Sequence, residues 1–164
     1  MFPFGWLLGL VLPACGAAGA HGLPVPPLMA ITRIERPASP NTALAAPSGF
    51  RPPPDLVTPI YAVPPARLFA AVAAVAAKEP RTYPAVAYTA AMQADWVVRS
   101  AVWNFPDLVT AQVLAAPGGG SELVLYSRSV YGYGDFGVNR RRLQTWLRAL
   151  KTTLTLPGER QPQA

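Results

Sequence analysis

The chain of 164 residues carries one cysteine, Cys15, and one histidine, His21. Both stand near the N-terminus, outside the stretch that reads as a folded domain. No disulfide can form within one chain, and neither zinc nor any other metal that needs nitrogen or sulfur ligands has an evident site. A Ser-His-Asp arrangement cannot be built either. Charge is also scarce: Asp, Glu, Lys and Arg make up 13% of the residues against 51% hydrophobic, which excludes a charge-rich disordered chain and suits an apolar core. Walker-type and dinucleotide-binding patterns are missing, and "GYGDFG" at 132–137 places Asp135 where a phosphate would sit. No internal repeat is evident, and no cofactor is expected.

What charge there is leans basic. Fourteen Lys and Arg against eight Asp and Glu give a net +6, and only Lys78 and Lys151 among the fourteen are lysine. The cations are scattered rather than gathered in an arm, and no aromatic and basic interleaving forms a stacking platform, so nucleic acid is not an expected partner.

The N-terminal "WLLGLVLPACGAAGA" is an apolar run followed by small residues. Its core, Trp6 to Leu12, is far short of the roughly 20 apolar residues a spanning helix needs, so residues 1–20 read as a signal peptide. Two cuts are open. Leu12, Ala14 and Cys15 resemble a bacterial lipoprotein box, in which the cysteine is lipidated and becomes the new N-terminus, although Pro13 departs from it. A cut after Ala18-Gly19-Ala20 would instead release a soluble chain beginning at His21. The first places the protein on the periplasmic face of a membrane in the bacterial cell envelope, the second in the periplasm as a soluble protein.

Residues 21–57 read as a Pro-rich tether and wrap, 58–156 as an α+β domain, and 157–164 as a disordered tail. Ala30 to Arg36 has the composition of an edge strand. The six prolines between Pro37 and Pro54 speak against regular structure there, because each removes a backbone donor and restricts the residue before it. "PPARLFAAVAAVAAKEP" then places prolines at the start and just past the end of a helix, with Leu68, Phe69, Val72, Val75 and Ala76 at helical spacing. Four runs rich in Val, Tyr, Trp and Leu follow at Thr82–Ala90, Ala94–Trp103, Leu108–Ala115 and Glu122–Tyr131, separated by turn signals such as "NFPD" and "APGGGS". Short links make such strands antiparallel. In the last helix Leu143, Trp146, Leu147 and Leu150 share an apolar stripe, with Arg141 and Arg148 opposite and Arg140 and Arg142 on its borders. The expected fold is an α+β domain: an antiparallel sheet of about four to five strands with two main helices on one face, preceded by the wrap.

Between the last strand and the last helix stands "YSRSVYGYGDFGVNRRR", Tyr126 to Arg142. Asp135 is placed to cap the helix, and Gly132, Gly134 and Gly137 let the chain turn sharply. The strand arginines Arg99 and Arg128, the border arginines Arg140 and Arg142, and Asp107 and Glu122 are expected to clamp helix to sheet as ion pairs.

The same segment resembles the C-terminal pattern of the family filed as domain of unknown function 1499, found in bacterial envelopes and plastids: serine-arginine-serine, then glycine-x-x-aspartate-x-glycine-x-asparagine-arginine. Two upstream landmarks, "SPN" at Ser39 to Asn41 and "FPDLV" at Phe105 to Val109, fall in the right order, whereas "TALAAP" after "SPN" departs from the polar run of that family. Carried onto this chain, the resemblance marks Asp107, Ser127, Arg128, Ser129, Gly132, Asp135, Gly137, Asn139, Arg140 and Arg142 as a structural motif or functional surface. It implies no activity, since the family name assigns none.

Two function classes remain. The first is a non-catalytic envelope module, attached to a membrane through lipid on Cys15 and binding another envelope protein or an apolar ligand, with Tyr83, Tyr88, Trp96, Trp103, Tyr131 and Tyr133 as either core or binding aromatics. The second is a hydrolase acting on envelope polymer or lipid through two of Asp95, Asp107, Glu122 and Asp135, which requires two acids converging in a cleft with at least one raised pKa.

Overall fold

A computed structural model describes residues 16–155. Cys15, most of the expected signal peptide and the 157–164 tail lie outside the described residues. The fold is α+β. Six strands form one sheet in the order β2-β1-β6-β5-β4-β3, with β1 at Thr42–Pro47, β2 at Leu56–Thr58, β3 at Thr82–Tyr88, β4 at Gln93–Arg99, β5 at Pro106–Ala115 and β6 at Ser121–Ser129. Neighbours are antiparallel except β1 and β2, which run parallel.

Both main helices lie on one face of the sheet. Helix α1, Pro65–Lys78, has proline at its first position and buries Leu68, Val72, Val75 and Ala76. Helix α2, Val138–Thr155, buries Asn139, Leu143, Trp146 and Leu150, a spacing of four, three and four that keeps one side inward. Alternate strand residues meet them, among them Ala43, Ala45, Trp96, Val109, Ala111, Leu123 and Leu125. Trp96 and Trp146 join sheet to helix edge to face, with ring centroids 5.6 Å apart at 79°.

The proline-rich region departs from expectation. Six prolines argued against regular structure, yet Thr42–Pro47 is a buried strand between β6 and β2, and Leu56–Thr58 adds the parallel edge. Pro37, Pro40 and Pro52 to Pro54 flank the strands rather than interrupt them, and Pro47 closes β1, so the ladder loses few donors. Conversely Ala30 to Arg36 is not an edge strand. It forms a short 3-10 turn at Ile31–Arg33 and lies across the second face of the sheet, where Ile31 and Ile34 pack with Leu44, Ala46, Val124 and Tyr126.

The tether in front of it is pinned down too. Residues 16–29 offer the sheet mainly carbonyl oxygens, and the sheet answers with side-chain donors. Arg99 donates to Gly19 O and His21 O at 2.9 Å each, Asn104 to Ala17 O at 3.1 Å, and Tyr88 to Pro26 O at 2.7 Å. Gln93 both accepts from Met29 N at 2.7 Å and donates to Met29 O at 2.9 Å, imitating a strand partner. The sheet is thus covered twice, by helices on one face and by this strap on the other.

Candidate functional site

β6 delivers Ser127 and Ser129 to the helix side of the sheet, beside Asp107 at the start of β5. The chain then turns through Gly132 and Gly137, whose φ values of 91° and 75° belong to the left-handed region where a side chain is strained. Asp135 accepts from Gly137 N at 2.9 Å and from Asn139 N at 2.8 Å, closing the N-terminus of α2. The first turns of α2 lower Asn139 and Arg142 onto the two serines.

These groups form one saturated knot. Arg142 donates through Nη2 to Asp107 Oδ2 at 2.5 Å and through Nη1 to Asn139 Oδ1 at 2.6 Å and Ser127 Oγ at 2.9 Å. Asn139 Oδ1 also accepts from Ser127 Oγ, while Asn139 Nδ2 donates to Ser129 Oγ at 3.1 Å and to Asn41 O at 2.9 Å. Asn41 in turn donates to Gly132 O at 2.6 Å and accepts from Ser39 Oγ at 2.8 Å. Residues as distant in sequence as Ser39, Asp107 and Arg142 therefore meet in one place. Asn139 and Ser127 are fully buried and Asn41 and Asp107 nearly so. The Ser127 hydroxyl spends its proton on Asn139 and has a cation rather than a base beside it, so it is not an activated nucleophile.

Other expected residues lie elsewhere. Strand alternation sends Arg128 to the strap face, away from its neighbours Ser127 and Ser129. There its Nη1 donates to Thr110 Oγ1 at 3.3 Å and its guanidinium stands 5.5 Å over the Tyr126 ring. Thr110 donates in turn to Asp95 Oδ1 at 2.5 Å. Burial pushes the Asp95 carboxyl above its ordinary value, against the Thr110 hydrogen bond and the Arg128 charge. Burial likewise lowers the Arg128 pKa, with Asp95 and Tyr126 opposing. Among the described residues, Asp95 Oδ2 is a buried side-chain oxygen with no hydrogen-bond partner. Arg140 is exposed and outside the knot, and Arg99 serves the strap. Of the six groups expected to clamp helix to sheet, Arg142 and Asp107 form the ion pair that does so.

The four acids weighed as a catalytic pair divide. Asp95 lies on the strap face and Asp107 on the helix face, with Asp107 already bound to Arg142. Glu122 is the second residue of β6, at the opposite end from Ser129, and Asp135 is occupied in capping α2. The aromatics divide as well: Trp96 is core, Tyr88 holds the strap, and Trp103 and Tyr133 are exposed. The signal for Ser39 and Asn41 was present in "SPN", but nothing local in that tripeptide shows that it reaches the last helix.

A separate apolar groove of about 570 Å³ runs between residues 57–63 and the C-terminal half of α2, lined by Val57, Ile60, Tyr61, Val63, Leu147 and Leu154 among others. Burial pushes the Tyr61 hydroxyl up to about 12, so it stays protonated.

A family model described as protein of unknown function, DUF1499, matches residues 34–150, the span that holds every member of the knot. No curated protein matches the chain.

Proposed function

The chain belongs to the DUF1499 family, and we propose that it is an exported, lipid-anchored, non-catalytic envelope protein that binds another protein or an apolar ligand. The observation that carries this reading is the state of the knot. Asn41, Asp107, Ser127 and Asn139 are buried, the knot's polar groups are bonded to one another, and none is presented to a substrate as a free base, nucleophile or oxyanion donor. Such a centre holds wrap, sheet and helix in register and leaves binding to the surface. The groove beside α2, apolar and walled by Leu147, Leu154 and Tyr61, supports the apolar-ligand part.

The strap supports anchoring at Cys15 over release at His21. Asn104 and Arg99 bind the carbonyls of Ala17 and Gly19, and a cut after Ala20 would strip both from the fold. Processing before Cys15 keeps them. Among the described residues no helix is long and apolar enough to cross a membrane.

Native mass spectrometry of the full-length protein, extracted gently from its own membranes, tests both parts. The expected species begins at Cys15, carries acyl mass and retains a bound partner or apolar molecule. A bare chain beginning at His21 with nothing bound would defeat the reading.

A further inference from the structure

Five apolar side chains stand in solvent at one end of the molecule. Arg99 ends β4 and pairs with Pro106, so residues 100–105 form the hairpin tip between β4 and β5. Next to it β6 ends at Ser129, opposite Asp107, and Val130 N donates to Pro106 O before the chain continues into residues 131–137. These adjacent loops expose Val102 by 79%, Trp103 by 71%, Phe105 by 43%, Tyr133 by 76% and Phe136 by 96%. Asn104 and Phe136 also hold positive φ values of 54° and 52°, an uncommon backbone for residues other than glycine. Neither the core nor the knot makes use of these rings, and grouped exposed apolar side chains mark a contact surface.

The end of the molecule at which the described residues begin points to the occupant. Asn104, inside the hairpin tip, holds Ala17, and Arg99 at the root of that tip holds Gly19, so the described chain begins at this end. Immediately before it come Cys15 and the apolar run from Trp6 to Leu12. Arg81, exposed, donates to Arg99 O at the same end, and the exposed Arg140 and Arg141 belong to the first turn of α2, with Arg141 donating to Phe136 O at 2.8 Å. Of the carboxylates there, Asp107 is paired with Arg142 and Asp135 caps the helix, while Glu79 remains as a half-exposed countercharge. Exposed aromatics bordered by arginines, at the end where the described chain begins, have the composition of an interfacial surface that enters the headgroup layer of an anionic bilayer.

We infer that the rim formed by residues 100–105 and 131–137 is a membrane-docking surface, inserting Trp103, Tyr133 and Phe136 among anionic phospholipids and fixing the domain's orientation. This rests on the reading that the chain is held at a membrane from its N-terminal side.

The test uses the full chain with Trp6→Phe, reconstituted into phosphatidylglycerol-containing vesicles, with quenching of tryptophan emission by lipids brominated on their acyl chains. The remaining Trp96 and Trp146 are core residues, so Trp103 is the reporter. Quenching is expected, stronger than on purely zwitterionic vesicles. It is lost in Trp103→Phe and reduced by combined Tyr133→Ser and Phe136→Asn, which remove exposed rings and leave the melting temperature unchanged. Absence of quenching, or quenching unaltered by Trp103→Phe, overturns the inference, including the outcome in which a protein partner covers the rim. The mass of the mature chain reports the anchor separately. Acyl mass without quenching leaves the anchor and removes the rim, whereas quenching of a Cys15→Ser chain keeps the rim whatever the anchor.

Discussion

The Arg142 guanidinium and the Asp107 carboxylate form an ion pair at 2.5 Å, with side chains only 10% and 9% exposed, and thereby fix the second turn of α2 to the first residues of β5. Both ions have left water, so the pair is held by its geometry and by the further acceptors Asn139 and Ser127 on the same guanidinium.

Removing one partner leaves the other buried and unpaired. Asp107→Asn or Arg142→Met alone is expected to cost about 3–5 kcal/mol of folding free energy, and the double variant less than the sum of the two. Urea unfolding of the four chains of the cycle measures this. Additive losses would show that the two residues do not act as a pair.

Asn139 is the branch point of the knot, and its bonds to Ser127, Ser129 and Asn41 cross between elements. Asn139→Ala takes the acceptor from the Ser127 hydroxyl, the Nδ2 donor from Ser129 Oγ and one of the two donors on the Asn41 carbonyl, which keeps Ser129 N, and losing these bonds together makes it more damaging than Ser129→Ala. The urea midpoints of the two variants give the comparison, and equal midpoints would remove Asn139 from the centre of the network.

The Asp95 carboxyl gives a pH dependence whose sign follows from its burial. Its folded pKa stands above the unfolded value near 3.8, so the native state retains a proton that the unfolded chain has lost. Stability contributed at this site is therefore present below that unfolded value and falls as pH rises toward the folded one. Asp95→Asn can still accept from Thr110 but has no charge to bury. Melting temperatures from about pH 4 to pH 7 should move in favour of the variant as pH rises. A difference independent of pH would contradict the sign.

The strap is held by side-chain donors. Arg99→Met removes the donors to Gly19 and His21, and Tyr88→Phe removes one bond to Pro26, worth about 1 kcal/mol. Arg99→Met is expected to raise hydrogen exchange and proteolysis within residues 16–29, with Tyr88→Phe showing the smaller effect. Unchanged exchange in Arg99→Met would mean that the strap is held by other contacts.

Much of this could be read in the chain beforehand, wherever the cause was local. The spacing of Leu68, Val72 and Val75, the stripe from Leu143 to Leu150 and the break at "APGGGS" depend on residues a few positions apart, and they placed α1, α2 and the hairpin between β5 and β6. Asp135 was legible as a cap because capping spans only two to four residues. The strand ends were less so: Ala94–Trp103 overran β4, because Val102 and Trp103 look like strand residues although they occupy the exposed hairpin tip.

The sequence by itself determined the α+β class, the helices and the four-strand meander, since periodicity and turn chemistry act over short distances. Only tertiary structure decided that "TALAAP" enters the sheet, that Arg128 and Ser127 part to opposite faces, and that Ser39, Asn41, Asp107, Asn139 and Arg142 close one knot. Those outcomes depend on pairing register and on contacts as long as the 98 residues between Asn41 and Asn139, where no local pattern says which buried polar group will satisfy which.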